Sequence, residues 1–223
     1  MKLTGYINIK ALTGKVKTGG GSQGAENYLF EDETEDTLIP NIVTTTALTL
    51  DGTKHIMLDI APTDKTDVVV SFSRSSSNTQ AFLFGARKSS SSGGSIVLSY
   101  SDSTTYPMFG TMRNSLSETC TADEFHTAEI SQDGYYLDGV LKREYTDMSF
   151  TLTESLCIGG VNTEGAIDTR KFVGTIYSVT IYENSALVRE LYPAQRLDSS
   201  GTVTGTGLVD VLTGTYYETE ASA

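Results

Sequence analysis

The stretch from Phe125 to Tyr182, FHTAEISQDGYYLDGVLKREYTDMSFTLTESLCIGGVNTEGAIDTRKFVGTIYSVTIY, settles the architecture. Two Asp-Gly dipeptides, Asp133-Gly134 and Asp138-Gly139, stand between short runs of β-branched and aromatic residues. Glycine supplies the positive φ that tight hairpin turns demand, and Asp before it tolerates the left-handed region, so each pair marks a strand reversal. Downstream, Phe150 to Ile158 and Phe172 to Ile181 read as two further strands, the second rich in Ile, Val, Thr and Tyr. Within it the apolar positions change parity, Phe172 and Ile176 against Tyr177, Val179 and Ile181. Such a switch is what a β-bulge produces, and one is expected near Ile176 or Tyr177.

Period-two patterning extends upstream. Ile56, Leu58 and Ile60 share one face of a strand, Val68, Val70 and Phe72 one face of the next, and Phe82, Phe84 and Ala86 repeat the pattern. Lys88 to Gly94 is too polar to bury and reads as a surface loop, after which Ile96, Leu98 and Tyr100 resume the alternation. A polar loop from Ser101 to Thr105 leads to a strand around Met108 to Met112. His126, Ala128 and Ile130 line one face of the strand that opens the meander. Ala186 to Leu191 is expected to form one helical turn stopped by Pro193, and Thr213-Gly214 to turn between two short terminal strands. No segment is long enough to form a helix covering a sheet, so two sheets must cover each other. The expectation is an all-β, antiparallel two-sheet sandwich.

The chain of 223 residues is of a size that one such sandwich commonly reaches. Its texture divides it into residues 1–47 and a domain over 48–223. The first part carries one short strand pattern at Tyr6, Ile7 and Ile9, a Gly-rich segment, and the acidic run Glu31 to Asp36, which reads as a solvated loop. It is either an arm or an extra strand and loop of the same sandwich. Lys plus Arg number 16 against 28 Asp plus Glu, a formal charge of −12, which repels a phosphate backbone and makes nucleic acid an unsuitable partner. The N-terminal twenty residues alternate polar with apolar instead of forming a secretory core, and no run approaches a bilayer span, so neither export by the usual route nor membrane insertion is expected. The two cysteines, Cys120 and Cys157, read as free, partly buried thiols, with a single disulfide as the other arrangement.

The series Leu83-Phe84-Gly85-Ala86-Arg87, Tyr136-Leu137-Asp138-Gly139, Leu156-Cys157-Ile158-Gly159, Phe172 to Val179 and Leu187 to Pro193, followed by Gly207-Leu208-Val209-Asp210, resembles the concanavalin A-like lectin/glucanase superfamily. The resemblance is to its laminin-G-like jelly-roll domains, common in gut bacterial surface proteins and bacteriophage structural proteins, and runs from about residue 48 to 218. It implies a jelly roll with one concave sheet, ligands met on that face or on rim loops, and a lectin-like or structural role. With the N-terminal arm outside the match, the expectation is a virion protein assembled in the host cytoplasm. The arm would contact other virion proteins, many copies would form a homo-oligomer, and the displayed domain would contact a glycan. A bacterial cell-surface carbohydrate-binding module is the alternative.

Chemistry is sparse. A glucanase of this superfamily would carry carboxylates alternating along one strand, roughly Glu-x-Asp-x-x-Glu, and no strand has them, so no enzymatic activity is expected. The two histidines, His55 and His126, show no metal-ligand spacing, and packing accounts for His126. Laminin-G-like domains often bind calcium through rim carboxylates, and the resemblance makes Asp133, Asp138 and Asp168, all in expected turns, the candidate oxygen ligands. For a sugar, which favours an aromatic platform ringed by polar groups, the candidates are Arg87, Tyr100, Tyr106 and Arg113, flanking the polar loops after two strands of the sheet expected to be concave.

Overall fold

The computed structural model describes residues 42–76, 80–89, 94–113, 119–146 and 148–221. The expectations placed on residues 1–41 (the early strand pattern, the Gly-rich segment and the acidic run) lie outside the described residues, as does the middle of the Lys88 to Gly94 loop.

Along the chain, β1 (Ile42–Thr44), β2 (Leu48–Asp51), β3 (Lys54–Met57) and β4 (Thr66–Arg74) lead to β5 (Gln80–Arg87), β6 (Ser95–Ser101), β7 (Thr104–Phe109) and β8 (Met112–Arg113). A meander of β9 (His126–Ile130), β10 (Gly134–Leu137) and β11 (Val140–Glu144) follows. Three short strands come next, β12 (Cys157–Ile158), β13 (Asn162–Thr163) and β14 (Ala166–Ile167). The chain closes with β15 (Val173–Glu183), β16 (Ala186–Leu197), β17 (Val203–Asp210), β18 (Tyr216–Glu218) and β19 (Glu220–Ala221). The first sheet runs β11-β10-β9-β4-β15-β16-β17-β18, with β1 beside β16 and β2 beside β15; the second runs β19-β3-β12-β5-β6-β7-β8, with β13 also pairing β5. Among the described strands, every ladder is antiparallel except β13 with β5. The described residues contain no α-helix, and the two sheets cover each other as the patterning requires.

The meander forms as the sequence predicts. Asp138 (φ 54°) and Gly139 (φ 75°) both occupy the left-handed region and make the two-residue turn between β10 and β11. Gly134 is needed for a different reason: a Cβ there would sit 2.2 Å from the Arg143 carbonyl oxygen on β11. The expected bulge is also present, since Ile176 pairs with Phe72 but Ser178 with Ser71, leaving Tyr177 as the extra residue.

Two elements differ. Phe150 to Ile158 is not a continuous strand: its backbone bonds singly to the 58–64 segment, Leu152 N–H to Pro62 O at 2.9 Å and Leu156 N–H to Ile60 O at 2.8 Å, before joining the sheet at Cys157. Phe150, Leu152 and Leu156 still enter the core, so side-chain burial alternates without a ladder. Ala186 to Leu191 is not helical but the first half of β16, because Asn184 (φ 50°) and Ser185 (φ 63°) turn the chain straight back onto β15. Pro193 is tolerated inside β16 because it falls between two neighbours: β15 pairs as far as Leu191 and β1 takes over at Ala194. No described strand there asks for the missing N–H, while Thr45 N–H donates to the Pro193 carbonyl at 2.7 Å.

The main core is centred on Phe172, fully buried, whose ring meets Phe72 of the first sheet at 6.1 Å and Tyr100 of the second at 6.1 Å, both edge to face. On the outer face of the first sheet, Asp67 on β4 is half-buried beside Glu129, Asp133 and Glu183; burial first, then these charges, raise its pKa to about 6. Phe172→Ala is expected to cost about 3–5 kcal/mol in chemical denaturation, through lost burial and the cavity left between sheets. The folded chain holds on Asp67 a proton that the unfolded chain has already released, so this group lowers stability as pH rises from about 4 through about 6. Asp67→Asn is therefore expected to raise Tm at pH 7.5 and leave it unchanged below pH 4.

Candidate functional site

Residues of β6 and β7 alternate between the main core and the opposite face of the second sheet. Ile96, Leu98, Tyr100 and Phe109 enter the core, whereas Val97 and Met108 belong to a separate cluster with Phe82 and Val161. Phe82 is opposite Ser99 but Phe84 is opposite Leu98, so Leu83 is an extra residue in β5. That bulge corrects the expected inward triplet: Leu83, Phe84 and Ala86 face the core, and Phe82 is turned to the outer face.

A cavity of about 240 Å³ opens on this outer face. Phe82 and Met108 give it an apolar floor; Gln80, Ser99, Ser101 and Tyr106 add hydroxyl and amide groups. The segment ahead of β15 forms one wall, because Phe82 N–H donates to the Arg170 carbonyl at 3.1 Å and Phe82 bridges Lys171. Two guanidiniums consequently lie over one ring, that of Arg170 at 4.7 Å from the Phe82 centroid and that of Arg87 at 5.4 Å. Asp168 holds both. It accepts from Arg170 Nε at 3.0 Å and Nη2 at 2.8 Å and lies 3.6 Å from Arg87 Nη2, while Arg87 Nε donates to Thr163 Oγ1 at 2.7 Å. The Arg170 hydrogen bond, above all, keeps the Asp168 carboxyl below its usual range, so it is ionised at neutral pH. Glycoside hydrolysis uses two opposed carboxylic acids, and among the described residues none lines the cavity.

Of the four residues expected to meet a sugar, Arg87, Tyr100 and Tyr106 border this cavity. Tyr100 does so with its ring turned inward, 2% exposed and packed on Phe172, so it offers no stacking platform. Arg113 is opposite Met108 in backbone register, one strand beyond Tyr106; its side chain lies outside what is described. Phe82, Met108 and Arg170 escaped the sequence reading. Phe82 is placed by a bulge and Arg170 by a long-range bridge, neither of which leaves a local signal.

The three carboxylates named as candidate calcium ligands lie in different places. Asp133 and Asp138 cap opposite ends of β10, roughly 16 Å apart by strand rise, and Asp168 belongs to the other sheet's outer face. Asp138 is also committed elsewhere, with Oδ2 2.8 Å from His126 Nδ1 and Oδ1 accepting from Thr127 N–H at 2.9 Å. Among the described residues no trio of His, Cys, Asp or Glu is placed to hold a metal. Cys120 and Cys157 are free and buried, and burial pushes their thiols up to about 11 and about 12.

No family model matches the chain, and no curated protein does. Among solved structures, a Bacteroides ovatus protein described as a candidate carbohydrate-binding protein is similar over 80% of this chain and 59% of its own, at 11% identity and a TM-score of 0.52. The CBM40 module of the Ruminococcus gnavus IT-sialidase, bound to α2,3-sialyllactose, matches 66% of this chain and 93% of its own at 12% identity and a TM-score of 0.46. A heptameric SAP-like pentraxin from Limulus polyphemus matches 64% and 76% at 12% identity and 0.46. At such identity the first of these speaks for fold alone, and it agrees with the jelly-roll sandwich described above.

A thiol reagent is expected to leave both cysteines unmodified in the native protein at pH 8 and to titrate two thiols after denaturation.

Proposed function

We propose that the chain is a non-catalytic glycan-binding protein whose site is the outer-face cavity of β5, β6 and β7. The observation that carries this reading is the pairing of an apolar floor, Phe82 and Met108, with a rim of hydroxyl, amide and guanidinium groups. Sugar rings present an apolar C–H face and equatorial hydroxyls, and this surface matches both. At about 240 Å³ the cavity has room for one or two sugar units, so a single site binds weakly. Display in many copies multiplies such contacts without any new one.

As to the carrier, the collinear likeness to laminin-G-like domains and the separate texture of residues 1–47 support a bacteriophage virion protein, with that segment joining the domain to capsid or tail and the domain contacting host-surface or mucus glycan. The cavity serves a bacterial cell-surface adhesion module equally well. Mass spectrometry of purified particles against a bacterial envelope fraction decides between them, recovery in particles being the expected result.

Tyr106→Ala removes the half-exposed ring at the cavity wall. It is expected to weaken binding of the best glycan found on an array roughly tenfold by calorimetry, with Tm unchanged. Unaltered affinity would remove this cavity as the binding site.

A further inference from the structure

We propose that the saccharide taken by this cavity carries an anionic group, and that Arg170 is the residue that reads its charge. The proposal rests on the glycan-binding reading and names the class of sugar.

The chain as a whole carries a formal charge of −12, yet the described residues lining the cavity include two guanidiniums and no carboxylate. Asp168, beside the cavity, is hydrogen-bonded to Arg170 and lies 3.6 Å from Arg87 Nη2. Asp168 occupies only the Nε/Nη2 side of Arg170. Nη1 has no partner among the described residues, and the side chain is 41% exposed. A guanidinium has five N–H donors, so the end-on fork of Nη1 and Nη2 is still available to a second oxyanion.

That fork is already fixed in place. The Phe82 ring beneath it and the two hydrogen bonds to Asp168 hold the guanidinium plane, so a ligand meets it without first ordering a long side chain. A neutral sugar seated over the same floor would cover this cation while returning only hydroxyl contacts. An acidic sugar returns a charge-assisted pair, and its remaining hydroxyls meet Ser99, Ser101 and Gln80.

The test is an array of matched neutral, carboxylated and sulfated glycans probed with the full chain, followed by calorimetry on the best matched pair. The expected result is a preference of roughly tenfold to a hundredfold for the charged member, the carboxylated or sulfated arm identifying the group. Arg170→Gln should erase the preference, and Arg170→Lys, which keeps the charge but not the fork, should retain part of it. Equal affinity for charged and neutral members, or a preference surviving Arg170→Gln, overturns the proposal and leaves the glycan-binding reading standing. Silence across the whole array with a correctly folded chain removes both. The wild-type preference needs no variant, so a poorly folding substitution does not blunt the test.

Discussion

Phe172 touches both layers at once, and much else follows from its position. Its ring lies against Phe72 of one sheet and Tyr100 of the other, and its N–H donates to the Gly159 carbonyl at 3.0 Å. A residue so anchored leaves the preceding segment little freedom. Lys171 is drawn beside Phe82, and the Arg170 side chain emerges over the outer face of β5. The interior of the sandwich thus dictates the layout of its surface cavity. An aromatic contact between layers, of modest worth alone, becomes a positioning device once the chain beside it has to cross a sheet edge.

The same residue type behaves in opposite ways on the two outer faces. Asp67, desolvated by burial and then set beside three other carboxylates, is driven toward the neutral form. Asp168 is clasped by Arg170 and faces Arg87, and is driven toward the charged form. Burial pushes both carboxyls up, and only at Asp168 does a guanidinium hydrogen bond outweigh it. Carboxylates thus meet carboxylates around Asp67 on β4, whereas Asp168 beside β5 meets two guanidiniums.

How legible this was in the sequence depended on whether one face of a strand stays wet. β15 has a solvated face, so the bulge at Tyr177 shows as a change of parity. β5 is buried on both sides over most of its length, Phe82, Leu83 and Phe84 alike, and its bulge is invisible to any pattern argument. β16 was misread because its exposed start and its proline imitate a helix end, whereas the deciding feature is the Asn184-Ser185 turn. At the site, Arg87 and Tyr106 are legible because they flank polar loops that follow strands. Tyr100 shares parity with Leu98 and so points inward, and Arg170 arrives through a bridge between distant segments that no local window contains.

The pairing of β4 with β15 has a bearing on how the protein is made. Val70, in the middle of one strand, finds its partner at Val179, and Phe72 finds Ile176. The centre of the first sheet thus stays open on the ribosome until β15 has emerged. Until then β4 can pair only with β9 and must keep its other flank from foreign strands. Closure of the first sheet waits on β15 and the strands that follow it.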